Sequence, residues 1–147
     1  MTIALFLHLL SDVIWIGGMF LAYVAVRPAV VEVLEAPQRL RLWTGIFRRF
    51  FPWVWASIIV ILGSGFHMLG QMATVPSYVI VMTVIGIVMS LIFLHLYFAP
   101  FGRLKRAVAA EDWKAGGAAL NQIRILVATN LTLGLINVAV GVLGRAI

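Results

Sequence analysis

Four long apolar runs set the limits on this chain. Residues 3–26, 51–69, 78–98 and 123–143 each supply about the twenty residues that a bilayer core demands. In lipid every backbone N–H and C=O must be satisfied inside the protein, which leaves helices or closed barrels, and runs of this length are helices. The expected fold class is all-α: an integral membrane four-helix bundle, one transmembrane domain over residues 1–147. Composition agrees, because only 11% of residues are charged and 63% are hydrophobic, whereas soluble domains carry about 25% charge. The chain has no cysteine, which excludes disulfides, thiolate metal sites, iron–sulfur clusters and thioether-linked haem.

Proline marks the expected boundaries. Arg27-Pro28 predicts the end of the first helix, since proline disfavours helical geometry in the residue before it. Pro52 fits the first turn of the second helix, where its missing N–H costs little. Pro76 in "TVPSY" predicts a short hairpin, and Pro100 ends or kinks the third helix. The first run has no basic leader and no small-residue cleavage site, so it reads as a retained span. Residues 27–50 and 99–122 read as connecting loops, with short interfacial helices expected over 30–48 and 111–124. No internal repeat is evident.

Charge orients the bundle. The net charge is +6, and nine of the eleven basic residues fall in the two long connections, with Arg124 just beyond the second and Arg145 alone near the other end. The positive-inside rule makes both connections cytoplasmic and puts the N- and C-termini outside, on the periplasmic face of a bacterial inner membrane. The basic excess therefore reflects topology and attraction to anionic lipid, not nucleic-acid binding.

The polar residues inside the runs are the functional candidates. His8 lies early in the first run and His67 late in the second, so both approach the outer face. His95 lies at the other end of the third, roughly 15–20 Å away along the bundle. His8, Asp12, Trp15, Met19 and Ala22 share one helical face; Trp53, Ser57, Ser64, Met68 and Gln71 form another, with His67 at its edge. Ionisable groups in membrane helices face the bundle interior. A lone buried histidine can simply hydrogen-bond a neighbouring helix, Asp12 can be a protonated packing donor, and Asn130 and Asn137 read as glue between helices.

Two imidazoles from antiparallel helices are a standard non-covalent hold on haem b. On that reading His8 and His67 are the axial ligands, Trp15 helps to wall the ring, and Gln71 or Arg145 anchors a propionate. Asp12 then carries protons or supports His8. His95 is a further candidate metal ligand at the opposite end. With copper instead, Met68 and Met72 join the histidines, because thioether and imidazole together suit that metal.

The segment "LHLLSDVIWIGGMFLAYVAVRPAV" resembles the first helix of the CopD-like membrane proteins, in which a histidine leads a W-x-G-G stretch and R-P closes it. The wider arrangement, with "FRRFFPW" before the second run and "HLYFAPFGRLKR" at the end of the third, is also similar to the HemJ-type protoporphyrinogen oxidases. That resemblance implies haem b on the histidine matched by His8. It also implies a lysine early in the third helix, where this chain has "YVIVMTVIG". The CopD resemblance implies copper handling.

The expected function is that of a membrane cytochrome b, passing electrons between a membrane quinol and an outer acceptor or oxygen species. The alternatives are a copper transport or tolerance protein, a HemJ-like oxidase, and an accessory subunit with no cofactor. The expected partners are the lipid bilayer, a quinone and a second copy of the chain, since Gly134, Gly141 and Gly144 would permit close helix approach in a dimer.

Overall fold

A computed structural model describes residues 1–146; Ile147, the last residue of the expected domain, lies outside the described residues. The described elements are helical: α1 (Thr2–Leu21), a π-helical turn (Ala22–Val26), α2 (Arg27–Val33), α3 (Ala36–Gly70), α4 (Ser77–Phe98), α5 (Pro100–Ala109) and α6 (Trp113–Leu143). Four continuous stretches are long and apolar enough to cross a membrane: Thr2–Val33, Ala36–Gly70, Ser77–Ala109 and Trp113–Leu143. The chain is thus a multi-pass membrane protein, as the four apolar runs require.

The outer surface is apolar and the interior partly polar. Phe6, Val13, Ile59, Leu91 and Val142 are all largely exposed on helix faces that meet lipid, while Ser11, Ser57, Ser64, Ser90 and Asn130 are buried. Small and polar residues let membrane helices approach closely. Two of the buried hydroxyls return their protons to their own helices: Ser64 to the Val60 carbonyl at 2.5 Å, Ser90 to the Gly86 carbonyl at 2.8 Å. Asn130 Nδ2 donates across helices to the Met89 carbonyl at 3.1 Å and joins α6 to α4. Helix α1 packs chiefly against α3, and α4 against α6. Gly18 permits the first of these contacts, because a Cβ there would overlap the Phe50 ring.

The basic connections differ most from expectation. They are helical almost throughout, with breaks only near residues 34–35, Ala99 and 110–112. Arg27-Pro28 does not end the first helix. The Arg27 N–H reaches back five residues to the Ala22 carbonyl, and this π turn lets the helix pass proline and run on to Val33. Pro52 is correspondingly inside α3, not at its start. Glu35 caps the start of helix α3, its backbone N–H met by Gln38 Oε1 at 3.3 Å in a capping box. At 35 residues it is far longer than the ~30 Å bilayer core needs. Its extra turns form because Leu40, Trp43, Thr44, Phe47 and Phe51 continue one buried stripe. That stripe packs on α5, whose Phe101, Leu104 and Ala107 are buried in turn, and on Gly116, Ala119 and Ile123 of α6.

Aromatic rings fill this end. Phe51 lies 4.9 Å from Phe47, 5.3 Å from Phe93 and 4.8 Å from Phe101, the last two edge-on. Edge-to-face pairs at such distances add about 0.5–1.5 kcal/mol beyond area burial. The basic end is therefore packed largely through aromatic contacts. The opposite end, where both termini lie, carries the α3–α4 hairpin at 71–76, as expected from Pro76.

Candidate functional site

The terminal end of the bundle encloses a cavity of about 570 Å³ between α1, α3, α4 and α6. Helix α1 contributes His8 and Asp12, one turn apart on the same face. Helix α3 contributes Ile61, Gly65 and Met68, and Met72 follows just beyond its end. These positions recur at helical spacing, so one stripe of α3 faces inward. Helix α4 adds Met82 and Thr83, α6 adds Asn137 and Gly141, and Met1 and Arg145 close the mouth.

The His8 ring is fixed by α3. Its Nδ1 lies 3.1 Å from the Ile61 carbonyl and 3.0 Å from Ser64 Oγ. The Ser64 hydroxyl proton is committed to the Val60 carbonyl at 2.5 Å, so Oγ is an acceptor toward His8. Both neighbours of Nδ1 therefore accept, which assigns the proton to Nδ1 and leaves the lone pair on Nε2. Among the described residues Nε2 has no hydrogen-bond partner. A histidine that gives one N–H to a backbone carbonyl and keeps the other nitrogen free is arranged as metal-ligating histidines are. Gly65 faces the ring: a Cβ there would stand 3.4 Å from His8 Cε1, in ordinary van der Waals contact.

Helix register separates His67 from His8. Ile61, Gly65, Met68 and Met72 follow one face, and His67 points about 120° away from it at 100° per residue. His67 is exposed, and its Nε2 lies 3.1 Å from the Gln71 side-chain amide nitrogen. Neither His67 nor Gln71 lines the cavity. The expected bis-histidine pair, inferred from matched depth, is thus not brought together. Depth was legible in the sequence, but a one-residue step from Met68 to His67 turns the side chain from cavity to lipid. Trp53, placed on the same polar stripe, is 62% exposed. Trp15 is buried, but it lines a second cavity toward the basic end. His95 is exposed at that far end.

Asp12 and Arg145 do line the cavity with His8, though no hydrogen bond joins Asp12 to His8. Asn137 Oδ1 is buried there with no partner among the described residues. Met68 and Met72 are joined by Met1 and Met82, so four of the six methionines surround one space. Met1 and Met82 were not among the candidates from sequence. Met82 would have been found from its place in the first turns of the third run, level with Met68. No group of three or more His, Cys, Asp or Glu side chains suited to a metal is present among the described residues; the donors gathered here are one imidazole and several thioethers.

The residues present do not fit haem b held between two histidines, since only one imidazole enters the cavity. They do fit a soft cation such as copper(I), which takes thioether and imidazole ligands.

Comparison with known protein families agrees with that chemistry. The family described as Copper resistance protein D matches residues 44–143, which hold α4, α5, α6 and most of α3, with Met68, Met72 and Met82 among them; His8 and Asp12 precede the matched segment. No curated protein and no solved structure matches the chain. With more than half of its length matched, the chain belongs to the CopD family of membrane proteins.

Proposed function

We propose that the protein handles copper(I) as a cargo ion, taking it into the methionine-lined cavity at the terminal end of the bundle. The observation that carries this reading is the meeting of His8 with Met1, Met68, Met72 and Met82 around one cavity of about 570 Å³. His8 Nε2 supplies the nitrogen ligand, and its Nδ1–H bond to the Ile61 carbonyl holds the ring in place. The methionines supply thioether sulfurs on flexible side chains, which bind a soft ion without the deep well of a thiolate. Asp12, a turn inside His8, brings a carboxyl group to the same cavity, which Arg145 also lines. The charge of the connections supports an orientation in which the cavity opens on the periplasmic side of a bacterial inner membrane. Membership of the Copper resistance protein D family supports copper as the ion.

The test is anaerobic loading of the detergent-purified protein with copper(I) against a chelator of known affinity. The expected result is near-stoichiometric copper in the wild type, with loss in His8→Ala and in the Met68→Leu/Met72→Leu/Met82→Leu variant. A wild type that holds no copper, and instead shows a reduced haem α-band abolished by His8→Ala, would return the function to electron transfer on haem b.

A further inference from the structure

The second cavity, about 310 Å³, runs along the basic half of the bundle and is separate from the copper pocket in its lining. Its walls are largely apolar, with Met19, Phe47, Phe50, Phe93 and Leu96 among them. Three arginines line it as well: Arg27 at the start of α2, Arg39 in the first turn of α3 and Arg124 within α6. All three are half-buried, whereas Arg41, Arg48, Arg49, Arg103 and Arg106 are exposed. The ion pair among the described residues is Arg41 with Glu111, so none of the three lining arginines is neutralised by a carboxylate. No aspartate or glutamate lines the cavity. Arg27 rests 5.4 Å from the Tyr23 ring centroid, which leaves its N–H groups free for another acceptor.

The length matters as much as the charge. Arg27 lies twelve residues beyond Trp15 on the same continuous helix, so the slot reaches roughly 18 Å from the arginines to the level of Trp15. Three cations at one end and an aromatic and aliphatic wall along the rest are complementary to an anion carrying a long apolar tail. A soluble anion would leave the slot unfilled, and a cation would be repelled at the arginine end. Basic pockets between transmembrane helices hold anionic headgroups in this way.

We propose that this slot is a binding site for an anionic phospholipid of the surrounding bilayer. The phosphate is held by Arg27, Arg39 and Arg124, and one acyl chain lies along Phe47, Phe50 and Met19 toward Trp15. This site is independent of the copper pocket and stands or falls apart from it.

The test uses the full chain, delipidated in neutral detergent and titrated with phosphatidylglycerol or phosphatidylcholine under native mass spectrometry. The wild type is expected to retain phosphatidylglycerol about tenfold or more over phosphatidylcholine. The Arg27→Gln/Arg39→Gln/Arg124→Gln variant is expected to lose that preference, and Arg48→Gln/Arg49→Gln to keep it. Phosphatidylglycerol with brominated tails is expected to quench the fluorescence of Trp15 and Trp43, both of which line the slot. If the triple variant does not fold, the three single variants carry the test, each lowering the preference severalfold. Equal retention of the two lipids by the wild type overturns the proposal. So does an unchanged preference in the arginine variants, or displacement of the lipid by millimolar inorganic phosphate.

Discussion

His8 Nδ1 stands 3.0 Å from the Ser64 hydroxyl oxygen and gives α1 a polar tie to α3 inside the membrane. The same nitrogen reaches the Ile61 carbonyl at 3.1 Å. The tie fixes the tautomer as well as the ring, because the Ser64 proton is already directed to Val60. Ser64→Ala is therefore expected to leave the helix intact and loosen His8. Groups that orient a metal-bound histidine are worth about 10–100-fold in metal affinity. Copper(I) affinity in Ser64→Ala should fall within or near that range, while thermal unfolding shifts little. An unchanged affinity would show that the Ile61 carbonyl alone orients the ring.

His67→Ala is expected to leave metal loading as in the wild type, because His67 faces away from the cavity and meets Gln71. His95→Ala is expected to be equally silent, since that side chain is exposed near the basic end. Copper content after loading checks both. A loss in His67→Ala as complete as in His8→Ala would mean that the two histidines share a ligand after all.

The adjacent glycines of "IWIGGMF" should separate cleanly. A Cβ on Gly18 would overlap the Phe50 ring, whereas Gly17 has nothing within 4 Å. Gly18→Val is expected to destabilise the α1–α3 contact by about 1–3 kcal/mol, the usual cost of overpacking. Gly17→Ala is expected to be neutral or to stabilise by up to about 1 kcal/mol through helix propensity. Thermal unfolding in detergent reads the difference, and equal behaviour of the two would contradict the packing described here.

Much of this was legible in the sequence, and the exceptions have physical causes. The spans were readable because lipid imposes length and apolarity on every crossing segment. The CopD resemblance was read from the first helix around His8, whereas the family match falls on residues 44–143, which include the third-run motif read as HemJ-like. Short helices in the connections were expected, but the unbroken run of the spanning helices through Pro28 and Pro52 was not, because both prolines are strong local breakers on their own. A π turn absorbs the first, and a continuous buried stripe from Leu40 to Val54 carries α3 through the second. Depth placed His67 correctly with His8, but only register decides which side of α3 it occupies. Met1 and Met82 escaped notice because methionine is a common gap filler, and only convergence in space gives it another meaning.

Asn130 is held by one bond, from Nδ2 to the Met89 carbonyl at 3.1 Å, while its Oδ1 has no partner among the described residues. Interhelical hydrogen bonds in membranes average about 0.6 kcal/mol. Removing the bond together with the unpaired oxygen should nearly cancel, so Asn130→Leu is expected to change stability by less than about 1 kcal/mol. A much larger loss, read by unfolding in detergent, would mean that Oδ1 has a partner in the membrane.

The central claim is that copper(I) sits among one imidazole and several thioethers in the His8 cavity. X-ray absorption at the copper edge of the anaerobically loaded protein tests it most directly. The account predicts mixed nitrogen and sulfur scattering, with the nitrogen contribution lost in His8→Ala and the sulfur contribution reduced in Met68→Leu/Met72→Leu/Met82→Leu. A spectrum with only nitrogen and oxygen neighbours, unchanged by the methionine substitutions, would contradict it.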